Sequence, residues 1–257
     1  MEKDSIPELA QRLWRAGNGA PTVDPDATDR PDDLELAYAV QATTRALAIA
    51  AGERVIGYKI GLTSQPARDA FGAGEPAAGH LLAGRLLPEG RSLDAAGLFE
   101  PKVEVEIAFV LGEALRGPDV TAHDVRNATA AVAPAFEIVD SRWRGGATTL
   151  PMLVADNTNA AYAALGPRVA PPREGLAEIG ATLSIGDREI PGSATAVMGD
   201  PAEAVAWLAR HLLSSGARLE AGDIVLSGTL CAPTAISAGD RLVADLGELG
   251  RIALDVG

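Results

Sequence analysis

PKVEVEIAFVLG, residues 101–112, alternates without a break: Val103, Val105, Ile107, Phe109 and Leu111 fall on one side, and Glu104, Glu106 and Ala108 on the other. A period of two sustained over that length is a β-strand with a buried face. Working outward, RVIGYKIGLTS (54–64) sets Ile56, Tyr58, Ile60 and Leu62 opposite Val55, Gly57, Lys59 and Gly61. APAFEIVDSR (133–142) gives a short strand in which Glu137 points away from Phe136 and Ile138. GDIVLSGTL (222–230) and GDRLVADLGELGRIALDVG (239–257) read as further strands, with a hairpin turning near Gly247 to Gly250.

Helical periods frame these strands. Ser5 and Glu8 have capping-box spacing, and Ile6, Leu9, Ala10, Leu13 and Trp14 then recur at helical intervals to about Gly17. The Pro- and Asp-rich PTVDPDATDRPDD (21–33) is a solvated loop leading to a second helix, 34–51, closed by Gly52. Residues 1–53 are therefore expected to form a helical N-terminal subdomain and 54–257 the core. Within the core a helix is expected over 119–132. Another starts at Asp200, Pro201 and Glu203 and stops at Gly216, a surface helix on the sheets with His211 facing solvent. Strands and helices do not alternate regularly, which disfavours a doubly wound parallel sheet and points to the α+β class.

Composition narrows the function. Of 257 residues, 22 are Lys or Arg and 35 are Asp or Glu, a net charge of −13 that repels phosphate backbones and anionic lipid. Neither nucleic acid nor membrane is an expected partner, and a small anionic ligand would need a local cation. The lone Cys231 excludes an internal disulfide framework and a multi-Cys zinc site. With only His80, His123 and His211 besides, a metal centre must be oxygen-rich. The N-terminus lacks the apolar run of a signal peptide, and no stretch approaches the roughly 18 apolar residues of a membrane span, so a cytoplasmic location is expected. A hydrophobic fraction of 47% supports a packed core.

Several residues can carry chemistry. Lys59 is flanked by Gly57 and Gly61, which leave room beside the ammonium; the alternative is an edge-strand lysine kept exposed against aggregation. Glu104 and Glu106 project from one strand face with origins roughly 6.5 Å apart, where like charges raise each other's pKa unless a cation intervenes. A polar outer sheet face is the simpler origin of such a pair, but both flanks are apolar and Glu137 is a third acid in equally apolar company. Three carboxylates without a nearby histidine suit Mg²⁺ or Mn²⁺ rather than zinc. His80, beside a Gly-rich turn, is a candidate pocket residue, Asp140 and Arg142 a candidate ion pair, and Asp156 with Asn157 a candidate turn. Cys231 reads as a small buried side chain. The glycines near 72–79 match neither a phosphate-binding loop nor a dinucleotide fingerprint.

Taken in order, GYKIGLTS, EPKVEVEIAFVLG, PAFEIVDSR, VADNTNAAY, AGDIVLSGTL and AGDRLVADLGELG resemble the fumarylacetoacetate hydrolase superfamily over nearly the whole chain. Within it, the resemblance is to the branch of 2-keto-4-pentenoate hydratases and 4-oxalocrotonate decarboxylases. It implies a mixed β-roll core with a divalent metal, Mg²⁺ or Mn²⁺, on Glu104, Glu106 and Glu137. It also implies an active-site role for Lys59, a homo-oligomer, and a lyase that acts on a small anionic 2-oxo or 2-hydroxydienoic acid through a metal-stabilised enolate. Lys59 would neutralise the substrate carboxylate or move a proton at the dienol carbon, a role that favours a lowered pKa. His80 and Thr229 are expected on the substrate side.

Two departures from the family pattern bear on the reaction. Hydratases of this branch usually carry an acid in a P-D-F-G-like stretch, where this chain has Pro76-Ala77-Ala78-Gly79; and SGTLCAP places Thr229 and Cys231 where Ala and Gly are usual. Both give weight to a decarboxylase of the 4-oxalocrotonate type, or to a lyase acting on a different, bulkier 2-oxo acid. C–C hydrolysis of an acylpyruvate and a catalytically idle ligand-binding relative are the remaining alternatives.

Overall fold

The computed structural model describes residues 5–172 and 175–257. Among these the chain runs α1 (Ile6–Ala16), α2 (Leu34–Ala50), β1 (Val55–Gly61), α3 (Gln65–Phe71), β2 (Ala77–Leu82), β3 (Leu86–Leu87) and β4 (Lys102–Leu111). It continues with α4 (Ala122–Ala128), β5 (Thr129–Val139), α5 (Leu150–Ala155), β6 (Ala160–Leu165), β7 (Gly180–Ile185), β8 (Arg188–Ser193) and α6 (Pro201–Leu213). Strands β9 (Ile224–Thr229), β10 (Thr234–Ala235), β11 (Arg241–Asp245) and β12 (Arg251–Asp255) complete it.

The larger sheet has the order β2-β1-β9-β4-β5-β6-β3, with β10 added on β4. It is mixed: β1 runs parallel to β9 and β3 to β6, while the other pairs are antiparallel. Although distant in this order, β2 and β6 touch, so the sheet curls round on itself. The smaller sheet, β12-β11-β7-β8, is wholly antiparallel and packs over the outside.

The alternation in β4 sorts two environments. Val103, Val105, Ile107, Phe109 and Leu111 enter one large core with Leu183 and Leu242 of the small sheet and Val205 and Leu208 of α6. Burying each such side chain contributes about 1.5–3 kcal/mol. The opposite, inner face carries Ala108 with Ala133, Ala135 and Ala163, side chains small enough to let the sheet curl tightly. Helices α1 and α2 close one side: Leu9, Leu13, Ala37 and Val40 pack against Ala77, Trp143, Met152 and Val154. Helix α2 is capped by Asp33, which accepts from Leu36 N at 2.8 Å.

Four sequence expectations need correction. Ser5 precedes α1 in helical backbone and makes no side-chain cap. The helix expected over 119–132 is only α4; the capping box forms between Thr121 and Asp124, and the chain turns extended at Thr129. There the β4 ladder claims the Ala-rich segment, pairing Ala131 with Val110 and Val132 with Phe109, and backbone pairing overrides local helix propensity. Helix α6 is buried on nearly every side, because Ala202, Ala204, Ala206 and Ala209 are small enough to be covered. His211 accordingly stacks on Trp207 at 4.8 Å and lies 5.2 Å from Tyr38 instead of facing water. The terminal hairpin does turn at 246–250, with Leu246 N donating to Gly250 O.

Candidate metal and substrate site

Strand register assembles the carboxylates. In the antiparallel β4–β5 pair Glu104 lies directly opposite Glu137, and Glu106 follows two residues along, opposite Ala135. All three project onto the inner face, where one oxygen from each lies within 4.8 Å of the others. Glu106 and Glu137 are fully buried, whereas Glu104 is half-buried.

Lys59 reaches the same face from two strands away, its Cα paired with Leu226 of β9, which in turn pairs with Ala108 of β4. Its Nζ lies 3.2 Å from Glu137 Oε1 and donates to Thr158 O at 3.0 Å. Since β2 covers the outer edge of β1, Lys59 is only 2% exposed and is no edge-strand lysine.

The donor set fits a hard divalent cation. Glu106 Oε2 accepts from Gly228 N at 2.7 Å, but Glu106 Oε1 and Glu137 Oε2 are buried with no hydrogen-bond partner. Three carboxylates against one ammonium leave a formal −2 in a largely buried cluster, an arrangement that needs a bound cation or bound protons. Without a cation, burial raises all three carboxyls: Glu106 well above the usual range, helped by Glu137 and Glu104, and Glu137 to about 7 against the pull of Lys59. Burial works to lower the Lys59 pKa, but Glu137, Glu104 and Glu106 outweigh it and the net shift is upward, contrary to the lowered value expected from sequence.

The room beside Lys59 is filled, not open. A Cβ at Gly57 would fall 1.8 Å from Ile224 O, at Gly61 2.6 Å from Thr158 Cγ2, and at Gly79 2.6 Å from Asn157 O. Asn157, Thr158 and Asn159 all have left-handed backbone, with φ of 52°, 52° and 58°. Such angles are uncommon outside glycine and exceptional for a β-branched threonine, and they persist only where surrounding contacts over-determine them. Here Asn157 clasps the backbone of His80, accepting from His80 N at 2.8 Å and donating to His80 O at 3.0 Å, and Thr158 Oγ1 donates to Ala78 O at 3.0 Å. The sequence points to a turn at Asp156–Asn157 but not to Thr158. The signal available was the pair of asparagines, the residues that best tolerate left-handed backbone.

The remaining candidates fall as follows. Thr229 is the cross-strand partner of Glu106 and donates to Cys231 O at 2.7 Å. His80 does not join the cluster: it pairs with Tyr58, one residue out of phase with Lys59, and so lies on the other face of the sheet. Its Nε2 accepts from Arg45 Nη1 at 2.9 Å, and burial, with Arg45 beside it, lowers its pKa to about 4. It borders a cavity of about 330 Å³ shared with Trp14, Arg85, Arg142 and Tyr162, whose lining includes neither Lys59 nor the three glutamates. Arg142 pairs with Asp156 at 2.6 Å, not with the Asp140 carboxylate, which accepts from Phe99 N and Glu100 N. Cys231 is buried, and burial pushes its thiol up to about 11, no nucleophile at neutral pH. Ala77, where the resemblance to hydratases of this branch implies an acid, is 2% exposed among apolar side chains.

Comparison with known proteins adds three findings. Residues 86–257 match the family model described as fumarylacetoacetate (FAA) hydrolase C-terminal. The chain is 40% identical to the 2-hydroxyhexa-2,4-dienoate hydratase of Comamonas testosteroni, over 98% of each chain, and 38% identical to the 2-oxo-hept-4-ene-1,7-dioate hydratase of Escherichia coli, over 95% of each. Among solved structures it is similar to 4-oxalocrotonate decarboxylase from Pseudomonas putida G7 complexed with magnesium and adipate. The TM-score is 0.93 at 26% identity, over 100% of this chain and 99% of that one.

Proposed function

The chain belongs to the fumarylacetoacetate hydrolase family, and from that premise we propose a divalent-metal-dependent lyase of the hydratase type, acting on a small 2-oxo or 2-hydroxydienoic acid. The observation that carries the proposal is the buried triad Glu104, Glu106 and Glu137, short of positive charge and in contact with Lys59. The three glutamates would hold Mg²⁺ or Mn²⁺. When bound, such a cation supplies Lewis acidity toward negative charge that develops beside the substrate carboxylate.

Lys59 is the catalytic residue. Its ammonium, fixed between Glu137 and Thr158 O, offsets the negative charge of the cluster so that an anionic substrate is tolerated there, and holds a proton for delivery to the dienol carbon. Gly228 N steadies Glu106, so that ligand keeps its orientation when substrate enters. Thr229 is assigned to the substrate side through its place opposite Glu106. His80, on the other face and committed to Arg45, is given no substrate contact. Residues 1–53 are proposed as a helical subdomain clamped on the core through Ala77 and Met152. A cytoplasmic homo-oligomer belongs to the same proposal; no helix among the described residues is long and apolar enough to cross a membrane, and the lone Cys231 is free.

Ala77 favours one second reading. With no acid at that position, a decarboxylase of the 4-oxalocrotonate type needs fewer proton-moving groups than water addition does. The test is product analysis by NMR after incubation with 2-hydroxypenta-2,4-dienoate and with 2-oxo-3-hexenedioate, each with and without Mg²⁺. The expected outcome is Mg²⁺-dependent conversion of the dienoate to a 4-hydroxy-2-oxo acid. Release of CO₂ from the dioate with the dienoate untouched would replace hydration by decarboxylation, and no metal-dependent consumption of either would overturn both.

A further inference from the structure

Resting on the assignment of Lys59 above, we propose that Thr158 is a positioning residue for the reaction, and that the left-handed turn Asn157–Asn159 exists to aim its carbonyl at the lysine ammonium. Thr158 O is the hydrogen-bond acceptor for Lys59 Nζ, at 3.0 Å, and Glu137 Oε1 is its ion-pair partner at 3.2 Å. A lysine side chain has four rotatable bonds, so a carboxylate alone leaves the ammonium free to pivot; a second acceptor from a different element defines one pose. The carbonyl reaches Nζ because three consecutive non-glycine residues adopt positive φ. That backbone is secured from three directions: the Asn157 amide on both backbone groups of His80, Thr158 Oγ1 on Ala78 O, and Gln41 Nε2 bridging Ala78 O and Val154 O.

Glycines at 61 and 79 complete the device. They face Lys59 on β1 and β2 and make way for the turn, since a Cβ at either would meet Thr158 Cγ2 or Asn157 O at 2.6 Å. Asn157 also replaces a missing neighbour strand for β2, pairing His80 N and His80 O as a strand residue would. The turn therefore ties the outer strand to the lysine of the next one, and Lys59 is held from both sides of the cluster.

The steric contact gives a test that a purely structural role would not pass. Gly61→Ala sets a methyl against Thr158 Cγ2 and pushes the turn away; adding Thr158→Ser deletes Cγ2 and keeps the hydroxyl on Ala78 O. In Gly61→Ala crystals Nζ should leave Thr158 O by more than about 3.5 Å, and kcat for the dienoate should fall on the order of 100-fold, with KM and Mn²⁺ affinity little changed. The double variant Gly61→Ala/Thr158→Ser should restore both contact and kcat. A contact and kcat unchanged in Gly61→Ala, or a double variant as slow as the single one, would overturn the proposal. Should Gly61→Ala not fold, Asn157→Ala, which opens the clasp on His80, should lower kcat while leaving Mn²⁺ affinity intact; an unchanged kcat there is equally fatal. Lys59→Met separates the two levels. Wild-type turnover by Lys59→Met removes the lysine's role and this proposal with it, whereas an inactive Lys59→Met beside a fully active Gly61→Ala removes only the turn.

Discussion

Glu137 stands where the electrostatics of the site meet. It faces Glu104 across the ladder, touches Lys59 at 3.2 Å, and is fully buried; that burial raises its carboxyl from 4.5 to about 7 despite the lysine. A carboxyl of raised pKa binds more protons in the folded than in the unfolded protein between those two values, so stability falls as pH rises through that window. Metal-free protein should therefore melt at a lower temperature at pH 8 than at pH 5.5 as far as this group is concerned. Added Mg²⁺ should stabilise more at the higher pH, where the ligands are ionised. Differential scanning calorimetry with and without Mg²⁺ checks this, and a metal effect that is larger at pH 5.5 would contradict it. At this scale alternation and apolar flanks mark Lys59 and the glutamates as candidates, and it is the family resemblance that singles them out over an exposed edge lysine and a polar sheet face. Thr158 was hidden because its carbonyl, not its side chain, meets the lysine. His80 does line a cavity, as the Gly-rich turn suggests, but a turn says nothing about sheet face, and its strand position puts it on the face opposite Lys59.

Elements set the distances. The β4–β5 ladder fixes Glu104 against Glu137, and β9 fixes Lys59 two strands away, so the site depends on register more than on any loop. The turn after α5 is the exception, and it is anchored by Arg142, which pairs with Asp156 at 2.6 Å and donates to Ala160 O at 3.0 Å. Asp156 is 1% exposed and also accepts from Arg142 N at 2.8 Å. Asp156→Ala should leave a guanidinium buried without its partner and cost about 3–5 kcal/mol in urea unfolding. A loss below about 1 kcal/mol, the ordinary value of a solvated pair, would show that the pair is not structural. Strands β1, β4, β9, β11 and β12 and helices α1 and α2 were legible from period alone. The α4–β5 boundary was not, because an Ala-rich run takes its conformation from the strand beside it. For α6 the helix was legible but its burial was not, since alanines score as weakly apolar although nine of its residues are covered.

At the scale of the whole molecule the acidic composition acquires a division of labour. Among the described residues every acid except Glu106, Glu137, Asp140 and Asp156 is at least partly exposed, and a net charge of −13 opposes association with other anions. Three are withdrawn to the inner face of the curled sheet, where a divalent ion would reduce their formal −3 to −1 and Lys59 would bring the cluster to neutrality. An acidic protein thus gains one interior spot that accepts an anionic oxo acid. Isothermal titration of Mn²⁺ into metal-free wild type and Glu106→Gln protein tests that claim most directly. The account predicts a single saturable site per chain in the wild type and its loss, or a weakening of at least about tenfold, in the variant. Equal Mn²⁺ binding by the two proteins would contradict it.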